Sequence, residues 1–411
     1  MRVFIVGVPL FDNTMTVKAY RLCDRSGDRV LGIQNDFRRM TEAFDSPGLD
    51  LIEQIGAEPF AGDKPLFVDL NIYQLLTGRP THFKIDPSKL ICVLPGNIDV
   101  TDQVIGRCAA LRSSGYRLAF DRLPENISEH PLINMMDYLI LDYFDPGYST
   151  AQFYAKTYCP NVNLVFTNVP DTESYERLSA RNPNGLFTGG FYNRPITEGV
   201  TELSPVKINA LQLLSLVNRG DFEFEDTVKI IERDPYLTIS LLRFINSAAI
   251  GLGNRIDSIM RAVTILGQRE IRRWANVAIS VSLAQDRPGE ITKLALTRAK
   301  YAENLAPLFG LRDKEQNAFL AGLFSLIDII LQLPMEEALR EVALDISVKN
   351  ALINQEGDIY NILKFIFAYE QADWDQCSIM MIQNSMDFES VNKAFVDAAF
   401  WYYGLLSIIG R

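Results

Sequence analysis

Residues 90–121, LICVLPGNIDVTDQVIGRCAALRSSGYRLAFD, decide the fold of the first half of the chain. The apolar run LICVLP ends at a turn, TDQVIGRCAALRSSG carries apolar residues three and four apart, and a second apolar run, YRLAFD, follows. Short apolar runs bounded by turn residues read as buried strands, and spacings of three and four read as a helix. The unit is therefore strand, helix, strand, with the two strands parallel. The pattern extends in both directions, with RVFIVGVPL, VKAYRLC and PLFVDLN before it and DYLILD, VNLVFTN and GLFTGGF after it. These runs are the eight strands of a (β/α)8-like barrel. The first two are separated only by FDNTMT and read as a hairpin. The chain is short for a full barrel, so a compact or irregular one is expected.

From residue 200 onward the period is helical throughout. IIERDPYLTISLLRFINSAA opens with Asp234 as N-cap and Pro235 at the first helical position, and IDSIMRAVTILGQREIRRW breaks at Gly267. Further amphipathic segments run to the end with no strand signal, so the second half reads as an all-α bundle. The domains are placed at 1–196 and 197–411. The join, PITEGVTEL, has few of the glycines and serines of a flexible tether.

Composition narrows the function. With 411 residues, 48% hydrophobic and 22% charged, the chain is globular and large enough for two cores. A net charge of -11 argues against a general nucleic-acid binder, which needs excess cations to displace counterions from phosphates. Only His82 and His130 are present, which excludes any mechanism built on a histidine cluster. The five cysteines contain no C-x-x-C pair, so no zinc site or disulfide framework is expected, and reduced thiols suit the cytoplasm. No apolar run is long enough to span a bilayer, and the N-terminus does not read as a signal peptide.

Chemistry in such a barrel collects at the C-terminal ends of the strands. The residues expected there are Arg21, Asp69, Pro95, Asp121, Asp142, Thr167 and Thr188. Each aspartate also reads as an ordinary N-cap of the next helix.

The ordered fragments KAYRLCDR, FVDLN, YRLAFD, YLILD and FTGGFYNRP resemble the landmarks of the EAL family of cyclic di-GMP phosphodiesterases across nearly all of residues 1–195. The resemblance implies a two-metal site, and most of its ligands are missing. Arg21 stands where the signature glutamate binds metal, Asp69 stands for the asparagine ligand, and Pro95 or a neighbour stands for the next glutamate. Asp121 keeps the first aspartate of the Asp-Asp-Phe motif while Arg122 replaces the second. Ile140 replaces the motif lysine while Asp142 is kept. Thr167 and Pro170 stand for the late glutamates, and Thr188 for the glutamine. Arg25 and Arg194 are the candidate contacts to a cyclic di-GMP phosphate. Cleaving a phosphodiester with two metals needs several oxygen ligands. Arg21 adds a fixed cation whose repulsion is about 4 kcal/mol per unit of charge on the ion at 4 Å and an effective dielectric of 20. No catalytic metal and no cofactor are expected, and Arg21 is expected to pair with Asp121 or Asp142.

The second half resembles the HDOD family over nearly all of residues 200–411, on Asp234, Pro235, Asn246, Ser247 and Gly267. A metal-dependent HD hydrolase would need His-Asp doublets. Ser325 and Leu326 stand where the doublet would be, and no histidine follows position 130. The EAL then HDOD order implies a bacterial signalling protein. The leading expectation is a non-catalytic regulator that binds protein partners in cyclic di-GMP-linked control of motility or biofilm. The alternatives are a cyclic di-GMP receptor without hydrolysis and a weak phosphodiesterase. No nucleic-acid or membrane partner is expected, and the choice between monomer and homodimer is left open.

Overall fold

The structure is a computed structural model and describes residues 3–26, 47–82, 85–124, 127–193, 205–247, 250–251, 255–285, 287–340 and 342–409. Eight strands close a barrel in sequence order: β1 (Val3–Phe11), β2 (Val17–Ser26), β3 (Leu66–Asp69), β4 (Leu90–Leu94), β5 (Arg117–Phe120), β6 (Tyr138–Asp142), β7 (Asn163–Val169) and β8 (Leu186–Gly189). β2 through β8 pair in parallel, and β1 runs antiparallel to both of its neighbours. The cause is the length of the β1–β2 connection, because a parallel crossover needs about a dozen residues and the turn from Asp12 to Thr16 can only reverse the chain. The Asp12 carboxylate organises that turn, accepting from the Thr14 and Thr16 amides at 2.8 and 3.0 Å and pairing with Lys18 at 3.2 Å. Burial pushes its pKa up, but these hydrogen bonds outweigh burial and hold it below the usual carboxylate value.

The helices that return along the barrel are α1 (Pro47–Ile55), α2 (Ile72–Leu76), α3 (Asp102–Ser113), α4 (Tyr148–Tyr158) and α5 (Thr172–Arg181). Asn71, Thr101 and Asp171 cap α2, α3 and α5 through their side chains. The barrel interior is filled by residues at alternate strand positions, including Leu10, Ala19, Phe67, Val93, Ala119, Ile140 and Val165, so it is a packed core and not a pore. The later helices are α6 (Pro205–Asn218), α7 (Phe224–Ile231), α8 (Pro235–Ile245), α9 (Ile259–Leu283), α10 (Gly289–Leu305), α11 (Glu315–Phe324), α12 (Ile327–Leu331), α13 (Asp358–Glu370), α14 (Trp374–Gln383) and α15 (Phe388–Ile409).

The chain divides into two compact units. The first is Met1–Tyr192 with Ala368–Ile382 and Asp387–Asn392; the second is Asn193–Phe367 with Gln383–Met386 and Lys393–Arg411. The sequence reading places the junction at 196/197, inside residues 194–204, which lie outside the described residues. It does not foresee the two C-terminal segments in the barrel unit. Their role follows from the barrel seam: β1 is paired with β2 along its whole length but with β8 only at Phe11 and Phe187. An unpaired strand edge leaves backbone groups without partners. The Ile5 N–H donates to the Tyr369 hydroxyl at 3.3 Å, and that hydroxyl donates to the Ile5 carbonyl at 3.0 Å. Beside it Phe4 stacks on Trp374 at 5.1 Å between ring centroids, meets Tyr369 edge-on at 5.8 Å and touches Phe388 at 4.2 Å. Burial drives the Tyr369 pKa far up, so the phenol stays protonated and able to donate.

The second unit contains no strand among the described residues. Its core includes Leu213 and Leu214 of α6, Leu241 and Ile245 of α8, Ile271, Ala275 and Ala278 of α9, and Ala299 and Ala302 of α10. No helix of the described residues is long and apolar enough to cross a membrane.

Replacing Tyr369 by Phe keeps the ring cluster and removes the hydroxyl that serves Ile5. The buried N–H and C=O left behind cost about 1–3 kcal/mol, to be read as a lower urea midpoint of the barrel transition. Tyr360→Phe, whose hydroxyl reaches only Gln355 at 3.4 Å, is the control and should change stability by less than about 0.5 kcal/mol.

Candidate functional site

Side chains alternate across a strand, so a residue two positions beyond an interior residue faces the interior one layer higher. Ala19, Phe67, Ala119, Ile140 and Val165 belong to the barrel core, and two residues on from them stand Arg21, Asp69, Asp121, Asp142 and Thr167. The same step leads from Val93 to Pro95 and from Leu186 to Thr188. The expected residues therefore form one layer at the C-terminal mouth. Ile140 lies below them, buried in the core. Thr167 and Thr188 are buried, Pro170 is half-buried after β7, and Arg122 projects outward with its side chain 67% exposed.

The ion pair expected between Arg21 and Asp121 or Asp142 is not the one that forms: Arg21 Nη2 lies 3.4 Å from Asp69 Oδ1. The reason is prior engagement of the other two carboxylates. Asp121 accepts from the Gly96 amide at 2.7 Å and from Arg122 Nε and Nη2 at 3.2 and 3.3 Å. Asp142 accepts from the Phe144 amide and from Asn168 Nδ2, both at 2.9 Å. Neither Asp69 nor Asp142 takes the N-cap role, which falls to Asn71 before α2 and Gly147 before α4.

Burial opposes the Arg21 charge, but the negative field of the carboxylates Asp69 and Asp121 and the hydrogen bond to Asp69 favour it, and its pKa is raised. Burial in the walled mouth pushes Asp69 up, Arg21 pulls it down, and Asp121 adds to the rise, so it ends above the usual carboxylate value. The Asp69 side chain is nevertheless 54% exposed, because the mouth is recessed but open to water, and a pair of this kind stabilises by no more than about 1 kcal/mol. Cys23, next on the same face, is pushed up by burial to about 11 and stays a thiol.

The donor set does not suit a two-metal centre. It offers three carboxylates already committed to other partners, two threonines, two prolines and a permanent guanidinium. Among the described residues no three Asp, Glu, His or Cys side chains gather as a ligand group, whereas each divalent ion takes about six oxygens. Of the two candidate phosphate contacts, Arg194 lies outside the described residues. Arg25 is described only as backbone, in β2 opposite Phe4.

In the helical unit Asp234 accepts from the Tyr236 and Leu237 amides at 2.9 and 3.2 Å, with Pro235 opening α8. Asn246 ends that helix and binds both the carbonyl and the amide of Ile256 at 2.7 Å, while the Ser247 amide donates to the Phe244 carbonyl. Gly267, at φ 71° and ψ 171°, splits α9 at a backbone angle that favours glycine. These residues shape helix ends and loops.

Ser325 and Leu326 follow α11, and here the structure adds a residue the sequence reading did not single out. Arg298 of α10 is 5% exposed, donates to Ser325 Oγ at 3.1 Å and lies 4.8 Å from the Phe367 ring centroid. The Ser325 hydroxyl in turn donates to the Gly322 carbonyl at 2.8 Å. The available signal was position, since Arg298 stands three residues after Ala295 and seven after Ile291 on an apolar helical face. Both places expected to have lost metal ligands thus carry an arginine. α10 and α11 approach closely enough that a Cβ on Gly322 would fall 2.5 Å from the Arg298 carbonyl oxygen. Gly322→Ala should therefore cost about 1–3 kcal/mol by overpacking. Gly220→Ala, with open space around it, should change stability by less than about 0.5 kcal/mol; urea unfolding checks both.

Residues 203–357 match the family model of the HDOD domain. YuxH of Bacillus subtilis, itself uncharacterised, is 28% identical over 417 residues, covering 99% of each chain. The cyclic di-GMP phosphodiesterase CdgJ of Vibrio cholerae is 27% identical over 216 residues, which is 53% of this chain and 50% of CdgJ. Among solved structures, the Bacillus subtilis YkuI protein with an EAL domain, in complex with cyclic di-GMP and calcium, is 14% identical over 56% of this chain and 71% of its own, with a TM-score of 0.34. The chain thus carries an eight-stranded barrel ahead of a region that matches the HDOD domain, and it is similar to YuxH from end to end.

Proposed function

We propose that this chain is a non-catalytic regulator that acts through protein partners in cyclic di-GMP-linked signalling. The observation that carries the reading is the Arg21–Asp69 ion pair in the barrel mouth, with Asp121 and Asp142 each held by other donors. Hydrolysis of a cyclic dinucleotide through two metals needs an open, oxygen-rich pocket and a metal-bound hydroxide. A guanidinium fixed among the remaining carboxylates supplies the opposite charge and no base. Arg298 on Ser325 supports the same reading for the helical unit, where a metal-bound imidazole cluster has no histidine to form it. The signalling context rests on the HDOD match and on the similarity to CdgJ, a cyclic di-GMP phosphodiesterase. The proposed compartment is the cytoplasm and the proposed output is motility or biofilm. Asp234, Pro235, Asn246, Ser247 and Gly267 serve the fold of the partner-binding module.

Purified protein with magnesium or manganese should release no linear dinucleotide from cyclic di-GMP above the buffer blank, and measurable turnover would sink the proposal. The receptor reading is separated by a thermal shift. A ligand at 100 times its dissociation constant stabilises by about 2.7 kcal/mol, and such a shift with cyclic di-GMP, without turnover, would replace the scaffold by a receptor.

A further inference from the structure

The opposite end of the barrel carries a cavity of about 410 Å³, within the range of about 300–1,000 Å³ common for small-molecule sites. It lies at the N-terminal ends of the strands, away from the Arg21 mouth. Its floor is the barrel core itself, Ala19, Ile91 and Leu186, with Tyr138 along one wall and Pro65 and Pro183 at the rim. A second cavity of about 250 Å³ adjoins it, sharing Asn163, Pro183, Asn184 and Gly185.

The polar groups lining these cavities are unevenly charged. Arg117 lies 5.8 Å from the Tyr138 ring centroid, donating to the Tyr138 hydroxyl at 2.9 Å and the Ser88 carbonyl at 2.8 Å. No carboxylate partners it among the described residues. Lys156 donates only to the Arg181 carbonyl, at 3.2 Å, and neither Lys156 nor Arg181 has a carboxylate partner among the described residues. The one carboxylate at the larger cavity, Asp12, is already neutralised by Lys18 and spent on its turn. Arg117 at the larger cavity, and Lys156 and Arg181 at the adjoining one, are uncompensated cations in a chain whose acidic residues outnumber its basic ones, 51 to 40. Asn163 and Asn184 line both cavities, and their side-chain amides make no protein hydrogen bond among the described residues. A guanidinium anchored by the Tyr138 hydroxyl and the Ser88 carbonyl keeps its remaining N–H groups fixed for an anion.

We propose that the N-terminal mouth of the barrel binds an organic anion of mononucleotide size. Its phosphate is held by Arg117, its ring lies against Tyr138 and the prolines, its polar edge meets the asparagine amides, and Lys156 and Arg181 of the adjoining cavity add positive field. The site is separate from the candidate site at the other mouth and does not depend on the signalling role proposed above.

The test is calorimetric titration of the full chain with AMP, GMP, CMP and UMP, with inorganic phosphate and 4-hydroxybenzoate as partial probes. Saturable binding at one site per chain is expected for at least one nucleoside monophosphate, more tightly than for phosphate alone. Arg117→Gln should weaken it at least tenfold. Asn184→Asp places a negative charge at an exposed rim position without touching the Arg117 hydrogen bonds, and should weaken binding in the same direction even if Arg117→Gln fails to fold. Arg21→Ala at the far mouth should leave the affinity within twofold. The proposal is overturned if no monophosphate binds at 10 millimolar, if phosphate binds as tightly as the nucleotides, or if Arg21→Ala abolishes binding while Arg117→Gln and Asn184→Asp leave it intact.

Discussion

The barrel depends on how the free edge of β1 is satisfied. A hairpin start makes β1 antiparallel in an otherwise parallel barrel, and β1 meets β8 at a single residue pair. The Ile5 amide and carbonyl point away from β2, and under the aromatic cluster they would be buried without partners if Tyr369 lacked its hydroxyl. One hydroxyl, that of Tyr369, serves both, from 364 residues along the chain. The aromatic cluster of Phe4, Tyr369, Trp374 and Phe388 holds it in place and excludes the water that would compete. The barrel unit therefore includes two C-terminal segments, although its strands end near residue 189.

Arginine recurs where the family resemblance anticipates metal. In the barrel mouth Arg21 draws on Asp69, with Asp121 adding to the negative field around it. In the helical unit Arg298 reaches Ser325 and covers the face of Phe367. A guanidinium is planar, permanently charged and rich in directed donors. It can occupy space beside oxygen atoms as a cation would, but it cannot exchange, accept a substrate oxygen or lower the pKa of a bound water. On the proposed reading, these side chains fix two ancestral sites in a permanently filled state.

Much of the fold was legible because strands and helices write different periods. All eight strands, including the antiparallel opening hairpin, follow from short apolar runs and the lengths between them. The layer at the C-terminal mouth was legible for the same reason, since a period of two places Arg21, Asp69, Asp121 and Asp142 one step beyond the core residues Ala19, Phe67, Ala119 and Ile140. The pairing within that layer was not legible. Arg21 takes Asp69 because Gly96 and Arg122 hold Asp121, and Phe144 and Asn168 hold Asp142. Those partners come from loops whose paths no periodicity describes. Arg298 was missed because a lone arginine on an apolar helical face looks, in sequence, like a side chain reaching for solvent.

By itself the sequence determined the barrel, the helical module behind it, and the types of residue at each strand end. Each of these is set by local spacing along one segment, and hydrophobic burial acts on such spacing directly. The tertiary structure alone decided which carboxylate answers Arg21, that Tyr369 and its neighbours complete the barrel, and that unpaired cations gather at the N-terminal mouth. These contacts join residues tens to hundreds of positions apart. Their partners are chosen by distance and by which hydrogen-bonding groups are already taken, and both quantities exist only once the chain has folded.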